Sequence, residues 1–294
     1  MIHRLITQWQ EKADTSRLCQ LFEISRSGYY AARQRQPKKA GICSVSVHLR
    51  SAFAESGRSY GSRRLQVALR ERGVPVGRYR VRCLMKQHQL RPTWRRKFVH
   101  TTDSNHNLPV ADNVLDRQFE PAAPNLAWVS DITYIRTRSG WLYLAVVMDL
   151  FSRKVVGWAM APNMRAELVC MALQMAIAQR QPAPGLIVHS DRGSQYASAA
   201  HREVLDRHHF VASMSRKGNC WDNAAMERFF LSLKMERVWQ RDYANQAEAV
   251  IDVADYIVSF YNSVRLHSKR GYLSPAAYEQ GKLIKTPIVV SEIT

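Results

Sequence analysis

Three acidic residues stand where an unpaired charge would be costly. Asp131 sits inside an apolar run, AWVSDITYIR (127–136). Asp191 follows a short apolar segment, LIVHS (186–190), and directly precedes Arg192-Gly193-Ser194. Glu227 is flanked by Ala224, Ala225, Met226, Phe229 and Phe230. Carboxylates that emerge from apolar elements are ordinarily paired or metal-bound, because burying a lone charge is expensive. Hard divalent cations such as magnesium take oxygen ligands, commonly one or two carboxylates completed by water and phosphate. Two such ions about 4 Å apart can clamp both the attacking and the leaving oxygen of a phosphodiester displacement. Three carboxylates from two strands and a helix suffice for such a site. Taken singly, a strand-terminal Asp is more often a cap or turn residue, and Asp149 is read that way.

A sheet and a helix must hold these groups. Residues 127–136 read as a strand, 137–140 as a turn, and 141–150 and 153–161 as two further strands. The short turns imply an antiparallel meander. A helix follows over 165–180, then a fully apolar-leading strand over 186–190, suited to the buried middle of a mixed sheet. A helix near 197–208, a strand at 210–214, a helix over 222–239 and a long helix over 246–264 complete an α/β domain with five strands. Lys234 follows Glu227 by seven residues. At about 3.6 residues per turn that is two turns, so the cation lies on the carboxylate's face. Asn219, Asp222 and Asn223 are candidates to cap the helix that carries Glu227. No internal repeat is present.

Upstream, the chain is strongly basic. Residues 1–100 carry 22 Lys and Arg against 5 Asp and Glu, whereas 101–294 carry 21 against 19. A segment so cationic attracts a polyanion, because each neutralised phosphate releases counterions. A membrane surface would instead want an amphipathic helix with a strong apolar face or a lipidation signal, and neither is obvious. No apolar run approaches the roughly 20 residues that span a bilayer, and the first residues lack a secretory segment. Five scattered cysteines without a CxxC pair point to reduced thiols and away from a zinc module.

Residues 2–13 and 17–23, the second capped by Ser16, read as short helices, and with Ser27-Gly28-Tyr29-Tyr30 they resemble a compressed helix-turn-helix. Gln34 to Gly41 reads as a linker. Helices over 62–72 and 78–88 around a Gly-containing turn follow the helix-turn-helix plan. On the last of these, Val81, Leu84, Met85 and His88 make one packing face. Arg78, Arg82 and Lys86 make a basic stripe, ordinarily a solvated face. Beside the basic run Arg95-Arg96-Lys97, DNA contact becomes the better reading. Residues 100–125 lack periodicity and form a linker or functional loop.

WVSDITYI (128–135), HSDRGSQY (189–196) and NCWDNAAMERFFLSLKME (219–236) resemble the three catalytic blocks of bacterial insertion-sequence transposases of the third (IS-three) family. Between Asp191 and Glu227 lie 35 residues, the spacing of the Asp-Asp-35-Glu group shared with retroviral integrases. Lys234, YNSVRLH (261–267), GYLSPAAYE (271–279) and the YGSRRL…RVRCLM stretch match as well, so the resemblance spans nearly the whole chain.

The resemblance implies an RNase H-like core, a five-stranded mixed sheet flanked by helices, preceded by small all-helical helix-turn-helix segments. It divides the chain into a helical segment (1–35), a helix-turn-helix DNA-binding domain (44–98), a linker (99–124), the catalytic core (125–240), a helical extension (241–285) and a tail (286–294). It implies Asp131, Asp191 and Glu227 as catalytic metal ligands for two Mg2+ (or Mn2+) ions, with Asp131 bridging both. Water would nick the strand, and a DNA 3′-hydroxyl would then be transferred. Ser190, Ser194 and Tyr196 are not nucleophiles in this scheme. Lys234 would position phosphate. Arg192, Ser194, Gln195, Arg265 and His267 are candidate DNA contacts, while His189 is as much a packed strand histidine as a metal or phosphate contact.

The implied partners are double-stranded DNA of element ends and target, a second copy at least on DNA, and the upstream-frame (OrfA) product, as partner or fusion. Members of the family are usually frameshift fusions, and this chain reads as the downstream frame alone. A cytoplasmic, nucleoid-associated setting is expected, with no membrane. Lys269-Arg270 is more basic than the family's usual residues. Two other readings stay open on sequence. A structure-selective nuclease on the same fold would lack strand transfer, and a non-catalytic DNA-binding regulator would need none of the three carboxylates.

Overall fold

The structure is a computed structural model that describes residues 2–11, 13–34, 43–92, 108–216 and 220–283. The chain divides into two compact units, 1–50 and 51–294.

In the first unit, α1 (Ile2–Trp9), α2 (Thr15–Leu21) and α3 (Arg26–Gln34) enclose a small core of Ile6, Leu18, Cys19 and Tyr29. The Tyr29 hydroxyl lies 3.2 Å from Thr7 Oγ1. The first helix is shorter than the expected 2–13. The second starts earlier than read: Asp14, not Ser16, holds the N-cap position, without a side-chain hydrogen bond. α4 (Ser44–Glu55) begins in this unit and ends in the next.

The second unit opens with α5 (Ser62–Glu71) and α6 (Arg78–Gln87), close to the spans expected. Leu65 and Leu69 of α5, and Val81, Leu84 and Met85 of α6, are buried. The i, i+3, i+4 spacing of the α6 residues turns one stripe inward and leaves the polar remainder outside. Residues 108–126 hold no helix or strand, yet they are tied down. Leu115 is buried and its N–H donates to Ser213 Oγ at 3.0 Å.

The sheet contains β1 (Ala127–Thr137), β2 (Gly140–Asp149), β3 (Val155–Ala161), β4 (Ile187–Ser190) and β5 (Val211–Met214), in spatial order β3-β2-β1-β4-β5. The first three form the expected antiparallel meander, and β4 and β5 add parallel to β1. The result is the mixed RNase H-like sheet. Alternation along each strand feeds two cores. Leu144, Val146 and Met148 of β2 pack with α9 (Ala224–Glu236) and α10 (Gln246–Asp255). Ala145 and Val147 face the other way, toward α7 (Ala166–Arg180) and α8 (Ala199–Arg207). α7 approaches β3 so closely that a Cβ on Gly157 would lie 2.2 Å from the Ala172 carbonyl oxygen.

Two helices depart from expectation. The element over 222–239 is a 3-10 turn (Cys220–Asn223), then α9, then a second 3-10 turn (Val238–Gln240). The long helix over 246–264 is α-helical only to Asp255 and continues as a π-helix, Tyr256–Asn262. The wider π turn brings Tyr256, Ile257 and Tyr261 together into the core. α11 (Pro275–Leu283) closes the described chain.

Candidate active site

The register of the sheet places the first two carboxylates. β1 and β4 run parallel with Val129 beside His189, so continuing that register by two residues brings Asp191 level with Asp131. Asp131 shares the strand face of Val129 and Ile135, the face that packs under α9. α9 carries Glu227 in its first turn and Lys234 in its last. Asp131 and Asp191 are half-buried, and Glu227 is exposed on its helix.

The electrostatics couple these groups. Burial raises the Asp131 carboxyl well above its usual range, and the charges of Asp191 and Glu227 raise it further. The Ile132 N–H, donating to Asp131 Oδ1 at 2.7 Å, and the Lys234 ammonium oppose that rise. Lys234 is lowered by burial despite the pull of Asp131. Its Nζ lies 4.6 Å from the centre of the Tyr134 ring, a cation–π seat that Trp141 braces edge-on. Asp191 and Glu227 therefore act on Asp131 in one direction, and Lys234 acts in the other. Among the described residues, no three His, Cys, Asp or Glu side chains already stand within ligating reach of one point.

The Asp191 turn is built tightly. Asp191 Oδ1 accepts the Gly193 N–H at 2.9 Å, and a Cβ on Gly193 would lie 3.0 Å from both Asp191 Oδ1 and Gln195 Oε1. Behind it, the buried Tyr196 hydroxyl meets Ser130 Oγ at 3.0 Å. Burial, with the charges of Asp131 and Asp191, pushes that phenol well above its ordinary value, so it stays neutral. His201 packs edge-on to Tyr196. His189 is fully buried, its Nδ1 2.9 Å from Ser213 Oγ and its Nε2 3.1 Å from Ser215 Oγ. Burial lowers it to about 4, so it is a neutral packed histidine.

Other expected contacts fall in differing places. Arg78, Arg82 and Lys86 are exposed on α6. Arg95, Arg96, Lys97 and Asn219 lie outside the described residues. The Arg192 Nε donates to the Ser215 carbonyl at 2.7 Å, and Gln195 Nε2 donates to the Met164 carbonyl at 3.1 Å. Ser194 is half-buried in the same turn. Arg265 is turned inward: it is buried and forked onto Glu236, with His267 half-buried beside it. Burial and the neighbouring arginines, Arg265 first, hold His267 down at about 2. Asp149 is the bracket expected of it, accepting the Asn125 and Phe151 N–H groups and facing Arg180.

Asp222 and Asn223 do not cap α9 through their side chains. Asn223 stands at the N-cap without such a bond. Its Nδ2 lies 3.5 Å from the Ser130 carbonyl, and its buried Oδ1 has no protein partner. Asp222 instead clamps the segment leading into the core. It accepts Asn113 Nδ2 at 3.0 Å, Arg117 Nε at 2.8 Å and the Arg216 N–H at 2.9 Å. Burial works against its charge, but the Arg216 and Arg117 bonds outweigh that and hold it well below the carboxylate range.

Sequence reasoning passed over Tyr134, the seat for Lys234, and Tyr79, whose side chain is 81% exposed amid Arg78, Arg80 and Arg82. Tyr79 is i−3 to Arg82 and i−7 to Lys86, a helical spacing visible in the sequence.

Comparison with known proteins agrees with this architecture. Residues 39–98 match the HTH-like domain family, and 121–220 and 227–283 match two families described as Integrase core domain. The chain is 45% identical, over 90% of its length and 97% of the relative's, to an Insertion element IS600 uncharacterized 31 kDa protein of Shigella sonnei. It is 40% identical over 96% of its length, and the whole of the relative, to the Transposase InsF for insertion sequence IS3A of Escherichia coli (strain K12). Among solved structures, a simian T-cell lymphotropic virus intasome chain, in complex with PP2A regulatory subunit B56 gamma, aligns with 82% of this chain and 76% of its own at 15% identity, TM-score 0.46. The HTLV-2 integrase catalytic core domain, in complex with magnesium, aligns with 50% of this chain and 92% of its own at 18% identity, TM-score 0.39. Among the described residues no helix is long and apolar enough to cross a membrane.

Proposed function

The chain belongs to the insertion-sequence transposases of the IS3 kind, with their integrase-type core, and from that premise we propose that Asp131, Asp191 and Glu227 are its catalytic carboxylates. The observation that carries the assignment is geometric: the parallel register of β1 and β4, continued by two residues, sets Asp191 level with Asp131, and α9 carries Glu227 in its first turn. Three carboxylates gathered by two neighbouring strands and one helix suit a cation. Their oxygen-only donors suit a hard divalent one, Mg2+ or Mn2+. Asp131, Asp191 and Glu227 are the residues that would hold it. Bound there, such ions would supply the positive charge that activates an attacking hydroxyl and stabilises the leaving oxygen of an in-line displacement.

The chain's own groups do the rest. Gly193 N–H fixes the orientation of Asp191. Lys234, seated over Tyr134, offers its ammonium to a DNA phosphate beside Asp131. The exposed face of α6, with Arg78, Tyr79, Arg82 and Lys86, enters a DNA groove, with Arg95, Arg96 and Lys97 as further phosphate contacts. The half-buried Ser194 lies within the Asp191 turn, and Arg192 and Gln195 order it through their bonds to Ser215 and Met164. Joining needs two DNA ends, so at least two copies act together on DNA, with the upstream-frame product as a further partner. Light scattering on the end-DNA complex should find two or more protomers; a single protomer holding two ends would refute the pairing.

The assignment is tested by magnesium-dependent nicking and joining of end DNA. Glu227→Gln should slow both by roughly three orders of magnitude while leaving DNA affinity intact. Equal rates in the variant would remove Glu227 from the site.

A further inference from the structure

Three parts of the sequence are left without a chemical task by the catalytic reading: YGSRRL (60–65), Glu236 at the end of α9 and YNSVRLH (261–267). All three meet in one buried polar cluster. Glu236 accepts two charge-assisted hydrogen bonds from Arg265, Nε to Oε2 and Nη2 to Oε1, each 2.7 Å. The same Nη2 donates to Ser232 Oγ at 2.9 Å, and the Tyr256 hydroxyl donates to Glu236 Oε2 at 2.7 Å. From α5, Arg64 Nη1 lies 3.7 Å from Glu236 Oε1. The Tyr60 hydroxyl accepts the Leu266 N–H at 2.8 Å and faces the Val264 carbonyl at 3.4 Å. The Arg64 and Arg265 guanidiniums lie over the rings of Tyr60 and Tyr261.

One carboxylate thus faces two guanidiniums that belong to different parts of the molecule. A buried ion pair is a poor way to gain stability, since well-packed apolar residues often do as well or better. A forked guanidinium on a carboxylate does fix direction as well as distance. Glu236 stands nine residues after Glu227 and two after Lys234 on α9. A turn or slide of that helix would move all three together. Arg64 stands on the first helix of the helix-turn-helix, whose Leu65 and Leu69 lie inward with Val81, Leu84 and Met85 of α6.

We propose that Glu236 is a positioning residue: gripped by Arg265 and Arg64, it ties the helix-turn-helix to the helix that carries Glu227, so that engagement of an element end sets the catalytic helix. Glu236 itself touches no substrate. The inference rests on the catalytic reading of Glu227.

The deciding variant is Arg64→Met in the full chain, because it cuts the link to α5 while leaving the Arg265–Glu236 pair whole. Nicking is measured at saturating DNA on a duplex from the terminus of the encoding element, and on a scrambled duplex of equal length. Coupling between sites is worth about 5- to 150-fold, so end-directed nicking should fall roughly tenfold. Nicking of the scrambled duplex and affinity for DNA should hold, and Arg64→Lys should restore most of the loss. Simple damage to the fold lowers both activities in parallel, and that result, or an unchanged end-directed rate, overturns the inference. Wild type and Glu227→Gln run alongside. If wild type nicks neither duplex, or Glu227→Gln equals it, the catalytic reading fails, which is a separate result, and the inference falls with it.

Discussion

At the scale of single residues, the candidate site is expensive to hold without a cation. Asp131 is raised by burial first and then by the carboxylates of Asp191 and Glu227. A carboxyl whose folded pKa is raised favours the folded state below its unfolded pKa, and that benefit is lost as pH rises toward the folded value. At neutral pH, Asp131→Asn should therefore stabilise the metal-free protein, by about 1 kcal/mol, the scale of relieving a strained functional site. Urea midpoints of the two proteins check this, and a lower midpoint for the variant would contradict it. The same substitution should abolish nicking. Glu227→Gln should lower the nicking rate by roughly three orders of magnitude, comparable to losing an electrostatic stabiliser of the transition state. His201 offers a cleaner pH test. Burial depresses it to about 4, and its Nδ1 has no protein partner. A depressed histidine contributes stability that is present above its unfolded pKa and drains away as pH falls from about 6.5 toward the folded value, at about 1.4 kcal/mol per pH unit. His201→Phe keeps the ring against Tyr196 and should reduce the stability slope between pH 6.5 and 4 by about 1.4 kcal/mol per pH unit, leaving the share of the depressed His189 and His267; an unchanged slope would remove His201 as a contributor.

At the scale of elements, the sheet and both flanking layers were legible because alternation and short turns are local signals. β1 and β2, each 10 or 11 residues long with turn residues between, are read from period two alone. Asp131, Asp191 and Glu227 stand out as candidates for a related reason: each is a charge set in an apolar run. The π-helix was not legible, since YIVSFYN continues an apolar helical pattern and only the core decides that the turn widens. The roles of Asp222 and Arg265 were hidden because their partners, Arg117 and Glu236, lie 105 and 29 residues away. Lys234 was read as a phosphate contact, yet the aromatic seat beneath it comes from β1. Close packing between elements also makes its own prediction. Gly157→Ala would drive a Cβ to 2.2 Å from the Ala172 carbonyl oxygen and 2.7 Å from Ala176 Cβ. Both are on a helix that cannot yield locally, so the variant should lose about 3 kcal/mol, the upper range for overpacking. Denaturant unfolding measures it, and a loss within error would mean that α7 can back away from β3.

At the scale of the whole molecule, charge and chemistry are segregated. The first hundred residues hold nearly all of the net +19, with 22 basic against 5 acidic side chains, while the remainder is close to neutral. A near-neutral catalytic part gains little from phosphate attraction on its own, so affinity should reside in the basic part and turnover in the carboxylate corner. The two can be separated by salt. Each phosphate contact adds about 0.9 to the slope of log affinity against log salt on duplex DNA. Replacing Arg78, Arg82 and Lys86 together by Ala removes three exposed cations from α6 without touching its buried face of Val81, Leu84 and Met85. If all three meet phosphate, the slope should fall by roughly 2.7 and affinity should drop on any sequence. Tyr79→Ala, which removes no charge, should leave the slope alone and instead narrow the preference for element ends over scrambled DNA. Lys234→Ala should change neither quantity appreciably while slowing the joining step, because the phosphate proposed for it belongs to the reacting strand. Fluorescence anisotropy across a salt series reads the first two, and a gel assay of pre-cleaved ends reads the third. A slope that stays constant in the triple variant would move the DNA-binding face off α6, and a Lys234→Ala protein that joins ends at the wild-type rate would detach that lysine from the catalytic corner.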